Sequence, residues 1–188
     1  MPAQVSQILG PDVNIVCKPY YSSIDTWFPF VSKKRLNQDI RANLPIETSG
    51  LALLLLCMKL ITDTPQLKNA SAAESELYRA ARNYLNTMEE VLPMSLYVFQ
   101  SLVLIALYEI GHGIFPVAYL TVGRAARLGL LRGVHDRKNS TQLFLTPQTW
   151  TYWEEERRTW WAVSILERLA LYAEDLFFFL VPSPHTNF

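Results

Sequence analysis

The chain has 188 residues, half of them hydrophobic and 18% charged, with 17 lysines and arginines against 17 aspartates and glutamates. So much apolar material excludes a disordered chain and suffices for a substantial core. The zero net charge lacks the basic excess that drives a free-standing nucleic-acid binder.

Residues 1–45 carry Pro2, Gly10, Pro11, Pro19, Pro29 and Pro45. They read as an irregular N-terminal segment of extended or turn pieces, with a short helix possible over 32–43. Trp27, Phe28, Phe30 and Val31 form an apolar knot that should tuck against the body, leaving Lys33, Lys34 and Arg35 in water. No basic region followed by an apolar stretch marks a secretory signal.

From Ile46 onward helix follows helix. Ser49 or Gly50 can start one that runs to about Thr62 and is apolar on most faces, hence buried. Its pure apolar run, 51–58, is far short of the roughly 20 residues a membrane span needs. Ser71 and Glu74 have capping-box spacing, and Leu77, Ala81, Tyr84, Met88 and Val91 then recur at helical spacing until Pro93. Ser95 can cap a helix apolar on both sides, therefore central, which Gly111-His112-Gly113 ends. Pro116 suits the first turn of the next, which reaches Leu131. Ala118, Gly123, Ala125, Ala126 and Gly129 are small enough to let neighbouring helices approach closely.

A polar connector, 136–146, leads past Pro147 to one long helix holding Trp150, Trp153, Trp160 and Trp161. In it Trp161, Ile165, Leu169 and Tyr172 follow an i, i+4, i+8, i+11 pattern and should face the core. No strand-type alternation of useful length occurs. The predicted fold class is all-α, an antiparallel helical bundle or array with an irregular N-terminal segment.

Catalytic signatures are missing. There is no Gly-rich phosphate loop, Gly-x-Ser-x-Gly elbow or His-Glu-x-x-His pair. His112, His135 and His185 are scattered, and no paired-aspartate motif could hold magnesium in a helical cyclase. Cys17 and Cys57 are too few for a disulfide framework or a structural zinc site. The acidic run 154–156 is followed at once by Arg157 and Arg158. Glu154 and Arg158 stand at i, i+4 in the favourable order, and Arg157 can lie against Trp153 or Trp161. A solvated charged turn and a buried arginine–carboxylate network both fit this segment.

Glu156-Arg157-Arg158-Thr159-Trp160-Trp161-Ala162-Val163, followed by Ile165-Leu166-Glu167-Arg168, resembles the signature of the fungal-specific transcription factor domain. This is the middle homology region of the binuclear zinc cluster (Zn2Cys6) regulators. The segments 27–36, 104–109 and 118–130 resemble the family's entry segment and two central helices, in the same order. The signature residues Glu156, Arg157, Arg158, Thr159, Trp160, Trp161 and Arg168 carry a structural role by this resemblance, with no catalytic, cofactor-binding or metal-binding residue among them.

The resemblance implies a nuclear, non-enzymatic regulator of metabolic or secondary-metabolite genes. Its partners would be other protein segments or the transcription machinery, and a small-molecule effector is possible. No membrane is involved. The family's zinc sits in an N-terminal cluster of six cysteines with no counterpart among these residues, so this chain has no cofactor of its own and reaches DNA only through a module it lacks. The expected division is an entry segment, 1–45, an incomplete helical regulatory domain, 46–175, and a divergent C-terminal tail, 176–188. Family members continue after the equivalent of Arg168 into a Gly-Arg-Pro-like element, whereas here the sequence runs on through Phe177, Phe178 and Phe179, as in a truncated copy. The alternative is a stand-alone helical module that binds protein or a small apolar ligand without DNA.

Overall fold

The structure is a computed structural model and describes residues 3–42, 50–63, 72–136 and 149–180. Among them the fold is all-α. Helices α1 (Ala3–Leu9), α2 (Asn14–Ser22), α3 (Ile24–Trp27) and α4 (Lys33–Arg41) form the entry segment. The body consists of α5 (Leu51–Thr62), α6 (Glu76–Val91), α7 (Leu96–Gly111), α8 (Val117–Leu131) and α9 (Trp150–Leu180), with a single 3-10 turn at Ala72–Glu74.

The entry segment is irregular in path but helical in detail, where extended and turn pieces were expected. Gly10, at φ +68°, breaks α1 from α2, and Pro29 follows the end of α3. Each piece survives by burying a few side chains against the body, as Val16, Cys17 and Tyr20 of α2 do. Ser32 caps α4 by accepting a hydrogen bond from Arg35 N at 3.2 Å.

Helix α7 is the hub and packs against α5, α6, α8 and α9. Its apolar residues on every side bury Leu96 through Ala106 without a break. Helix α5 is similarly enclosed from Leu51 to Met58. Helix α6 starts one turn later than its sequence suggested. Ser75 caps it by accepting from Tyr78 N, and Glu74 falls in the 3-10 turn. Ser71, Ser49, most of the polar connector (137–146) and Pro147 lie outside the described residues. Val91, expected on the apolar side of α6, is exposed, while Ala81, Tyr84 and Met88 are buried as expected.

The largest correction concerns α9. Trp161, Ile165, Leu169 and Tyr172 face away from the core, at 59%, 46%, 45% and 74% exposure. The buried face is instead Glu155, Glu156, Thr159, Ala162, Val163, Leu166 and Ala170. Both stripes fit a helical repeat. The inner one wins because Arg35 of α4 and Arg132, just past the end of α8, neutralise its carboxylates.

Candidate functional site

The signature segment occupies the N-terminal half of α9 and lies where α4, α7 and α8 converge. Glu155, 3% exposed, accepts from Ser32 N at 2.7 Å, from Gln100 Nε2 at 3.2 Å and from Arg35 Nε and Nη2. Arg35 also pairs with Asp39 at 3.2 Å, and its guanidinium lies 4.4 Å from the centre of the Tyr97 ring. Tyr97 in turn donates its hydroxyl to Asp39. One carboxylate thus ties α4, α7 and α9 together.

Glu156, 4% exposed, pairs with Arg132 just past the end of α8. Arg132 also donates to the carbonyl of Met94, in the link between α6 and α7. Thr159 completes the polar seam by donating its hydroxyl to the Glu155 carbonyl at 2.7 Å. A buried acid–arginine network is therefore present, but its arginines are Arg35 and Arg132. The adjacent Arg157 and Arg158 belong to the outer surface, where both donate to Glu154 at 2.8 and 2.9 Å. Those hydrogen bonds hold the Glu154 carboxyl down at about 2. Arg157 also lies 5.9 Å from the Trp153 ring.

Arg35 corrects the expectation of a basic triplet in water. Lys33 and Lys34 are exposed, but Arg35 turns inward. The three run on successive positions of α4, so only one of them can point at α9. Trp160 is half-buried and covers Gly129 of α8. A Cβ on that glycine would stand 2.5 Å from the indole, so the close approach of α8 and α9 requires glycine there. Trp161 and Arg168 are exposed and lie outside the seam.

A second polar cluster links α6, α7 and α8. Glu109 is fully buried and accepts from Tyr78 at 2.7 Å and Arg82 at 3.0 Å, while Arg82 also donates to Thr121 at 2.8 Å. Burial raises the Glu109 carboxyl above its ordinary range, outweighing the opposite pull of Thr121, Tyr78 and Arg82. The sequence reading missed Glu109, Arg82, Glu155 and Arg132. A charged residue inside an apolar helix, such as Glu109 in α7, is the one local signal that points to such a cluster.

The cysteines do not fit the zinc that the family resemblance implies. Cys17 and Cys57 lie on α2 and α5, and both are buried. Burial pushes their thiols up to about 11 and about 12, away from the thiolate a metal requires. Among the described residues no three His, Cys, Asp or Glu side chains gather as a metal site, and no helix is long and apolar enough to cross a membrane.

The family model of the fungal specific transcription factor domain matches residues 18–172, which run from within α2 into the second half of α9. The chain is also 38% identical over 147 residues to Transcription factor BOA15 of Botryotinia fuckeliana (strain B05.10), an alignment covering 78% of this chain and 80% of that protein. No solved structure matches. The residues that form the polar seam fall within the matched span, and the chain belongs to the fungal-specific transcription factor domain family.

Proposed function

We propose that this chain is a regulatory module of a fungal transcription factor, acting in the nucleus through contacts with other protein segments to control metabolic or secondary-metabolite genes. The match over 18–172, which contains the polar seam, carries this reading. The named relative, itself called a transcription factor, supports it. The seam's role is architectural. Glu155 and Glu156 hold α4, α7, α8 and α9 in one register, so that whatever docks on the outer surface meets a rigid body.

No residue of this chain is assigned a catalytic step, zinc or a base contact. DNA is reached through a zinc-cluster module carried elsewhere. The test is deletion of the gene with transcript profiling across growth conditions, together with imaging of a tagged full chain. A coordinated change in one set of metabolic transcripts, with the tag in nuclei, is expected. Unchanged transcripts, or a tag excluded from nuclei, would overturn the reading.

A further inference from the structure

The outer surface of α8 and α9 is unusually apolar. A groove of about 520 Å3 runs between the two helices, walled by Leu120, Leu130 and Leu171 and floored by Gly123 and Ala126. About a third of a turn around α9 from the groove, Trp161, Ile165 and Tyr172 stand as a ridge along the back of the helix. The six large side chains among these are between 46% and 74% exposed. At roughly 200 Å2 per large side chain they leave on the order of 700 Å2 bare, divided about equally between groove and ridge. The largest apolar patch of an ordinary monomer is about 300–600 Å2, and one side of a standard protein interface takes about 800 Å2.

The glycines of α8 separate this outer surface from the core. Gly129 is needed because Trp160 lies over it. At Gly123 an added Cβ would meet nothing within 4 Å, so nothing described in the chain makes use of its missing side chain. A glycine inside a helix costs about 0.5–1 kcal/mol relative to alanine. A bare backbone at the groove floor suits a second backbone approaching from outside.

Charge narrows the choice of occupant. Arg124, Arg127 and Glu167 line the groove, Arg157, Arg158 and Arg168 flank the ridge, and Glu89 and Glu154 pair with arginines among them. With Asp25, which faces Arg158, counted as well, the described side chains of this surface carry one more positive than negative charge, although the whole chain is neutral. Arg127 and Arg168 are exposed, and no described residue pairs with either. Two copies meeting through this surface would set arginines against arginines. Nucleic acid has no use for the leucine-walled groove.

We propose that the α8–α9 surface docks an amphipathic helix of a partner protein whose apolar stripe is bordered by acidic residues. The apolar side chains would fill the groove over Gly123, and the acids would meet Arg127 and Arg168. The proposal rests on the protein-contact role inferred above and names the partner's chemistry.

The test is anisotropy titration of the full chain with two labelled 20-residue helical peptides that share one leucine stripe, one bordered by glutamate and one by lysine. Saturable binding of the acidic peptide, at least tenfold tighter than the basic one, is expected. Gly123→Leu, which fills the floor without reaching the core, and Arg127→Glu with Arg168→Glu should each weaken it tenfold or more, with melting curves confirming the fold. Equal binding of both peptides, binding of neither, a stable dimer in sedimentation that covers this surface, or preference for anionic vesicles over the peptide would each overturn the proposal. Failure here with the transcript response intact removes the docking surface and leaves the regulatory reading standing.

Discussion

The two faces of α9 invert the usual arrangement of a helix on a protein surface. The inner face buries Glu155, Glu156 and Thr159, and the outer face exposes Trp161, Ile165 and Tyr172. The inner carboxylates are tolerable because Arg35 arrives from α4 and Arg132 from the end of α8. Among the described residues no other element covers the outer apolar side chains. The side of a helix that becomes interior is thus set by what other elements deliver to it as much as by its own hydropathy.

The largest expected effect comes from removing a partner on the inner face. Glu155→Ala leaves Arg35 buried with only Asp39 to answer it, and losing one partner of a buried pair costs about 3–5 kcal/mol. For a chain of this size that is a fall in melting temperature of roughly 10 °C, readable by far-UV circular dichroism. Replacing both partners with apolar residues, Arg35→Met with Glu155→Leu, should recover most of the loss, because the pair's stability is offset by desolvation. A single variant that melts like the parent would mean the inner face is solvated and the comparison fails.

Gly129→Ala ranks next. Its new methyl would stand 2.5 Å from the Trp160 ring, so the indole or the helix must shift. Overpacking of this kind costs about 1–3 kcal/mol, and urea denaturation resolves it. Trp160 emission should change in the same variant, since the ring is the group displaced.

Much of this architecture is legible in the sequence, and the errors have a common cause. Helices α5 and α7 are read correctly because they are apolar all round, and burial is then the only option. The ends of α7 and α8 follow from Gly113 and Gly133, both at positive φ. The misreadings are the buried face of α9, the inward turn of Arg35 and the clusters around Glu109 and Glu156. Each depends on a charge pairing between residues 24 to 120 positions apart, which no local period records. The signature residues Glu156, Thr159 and Trp160 lie in the seam. Arg157, Arg158, Trp161 and Arg168 lie outside it and belong to the outer surface.

Gly123→Ala sharpens the contrast with Gly129. The same substitution, six residues earlier on the same helix, meets open space and adds helix propensity. It should stabilise the chain by about 0.5–1 kcal/mol, the opposite sign to Gly129→Ala. A destabilised Gly123→Ala protein would mean that the groove floor is already packed against something in solution.

Trp161→Ala has the smallest expected effect and bears most directly on the outer face. From hydropathy alone Trp161 heads the core stripe of α9, and truncating a buried tryptophan costs about 3–5 kcal/mol. At 59% exposure it loses far less water-excluded area, and surface substitutions usually stay within about 0.5 kcal/mol. An unchanged melting temperature is therefore expected, along with loss of one share of the acrylamide-accessible tryptophan emission, the rest coming chiefly from Trp150 and Trp27. A loss of several kcal/mol that deepens with protein concentration would show the ring buried between molecules in solution. A concentration-independent loss of that size would put Trp161 in the core of its own chain and reverse the assignment of the two faces. Only the first result, with the fold intact and a bare indole on the outer face, leaves that face of α9 free for a partner.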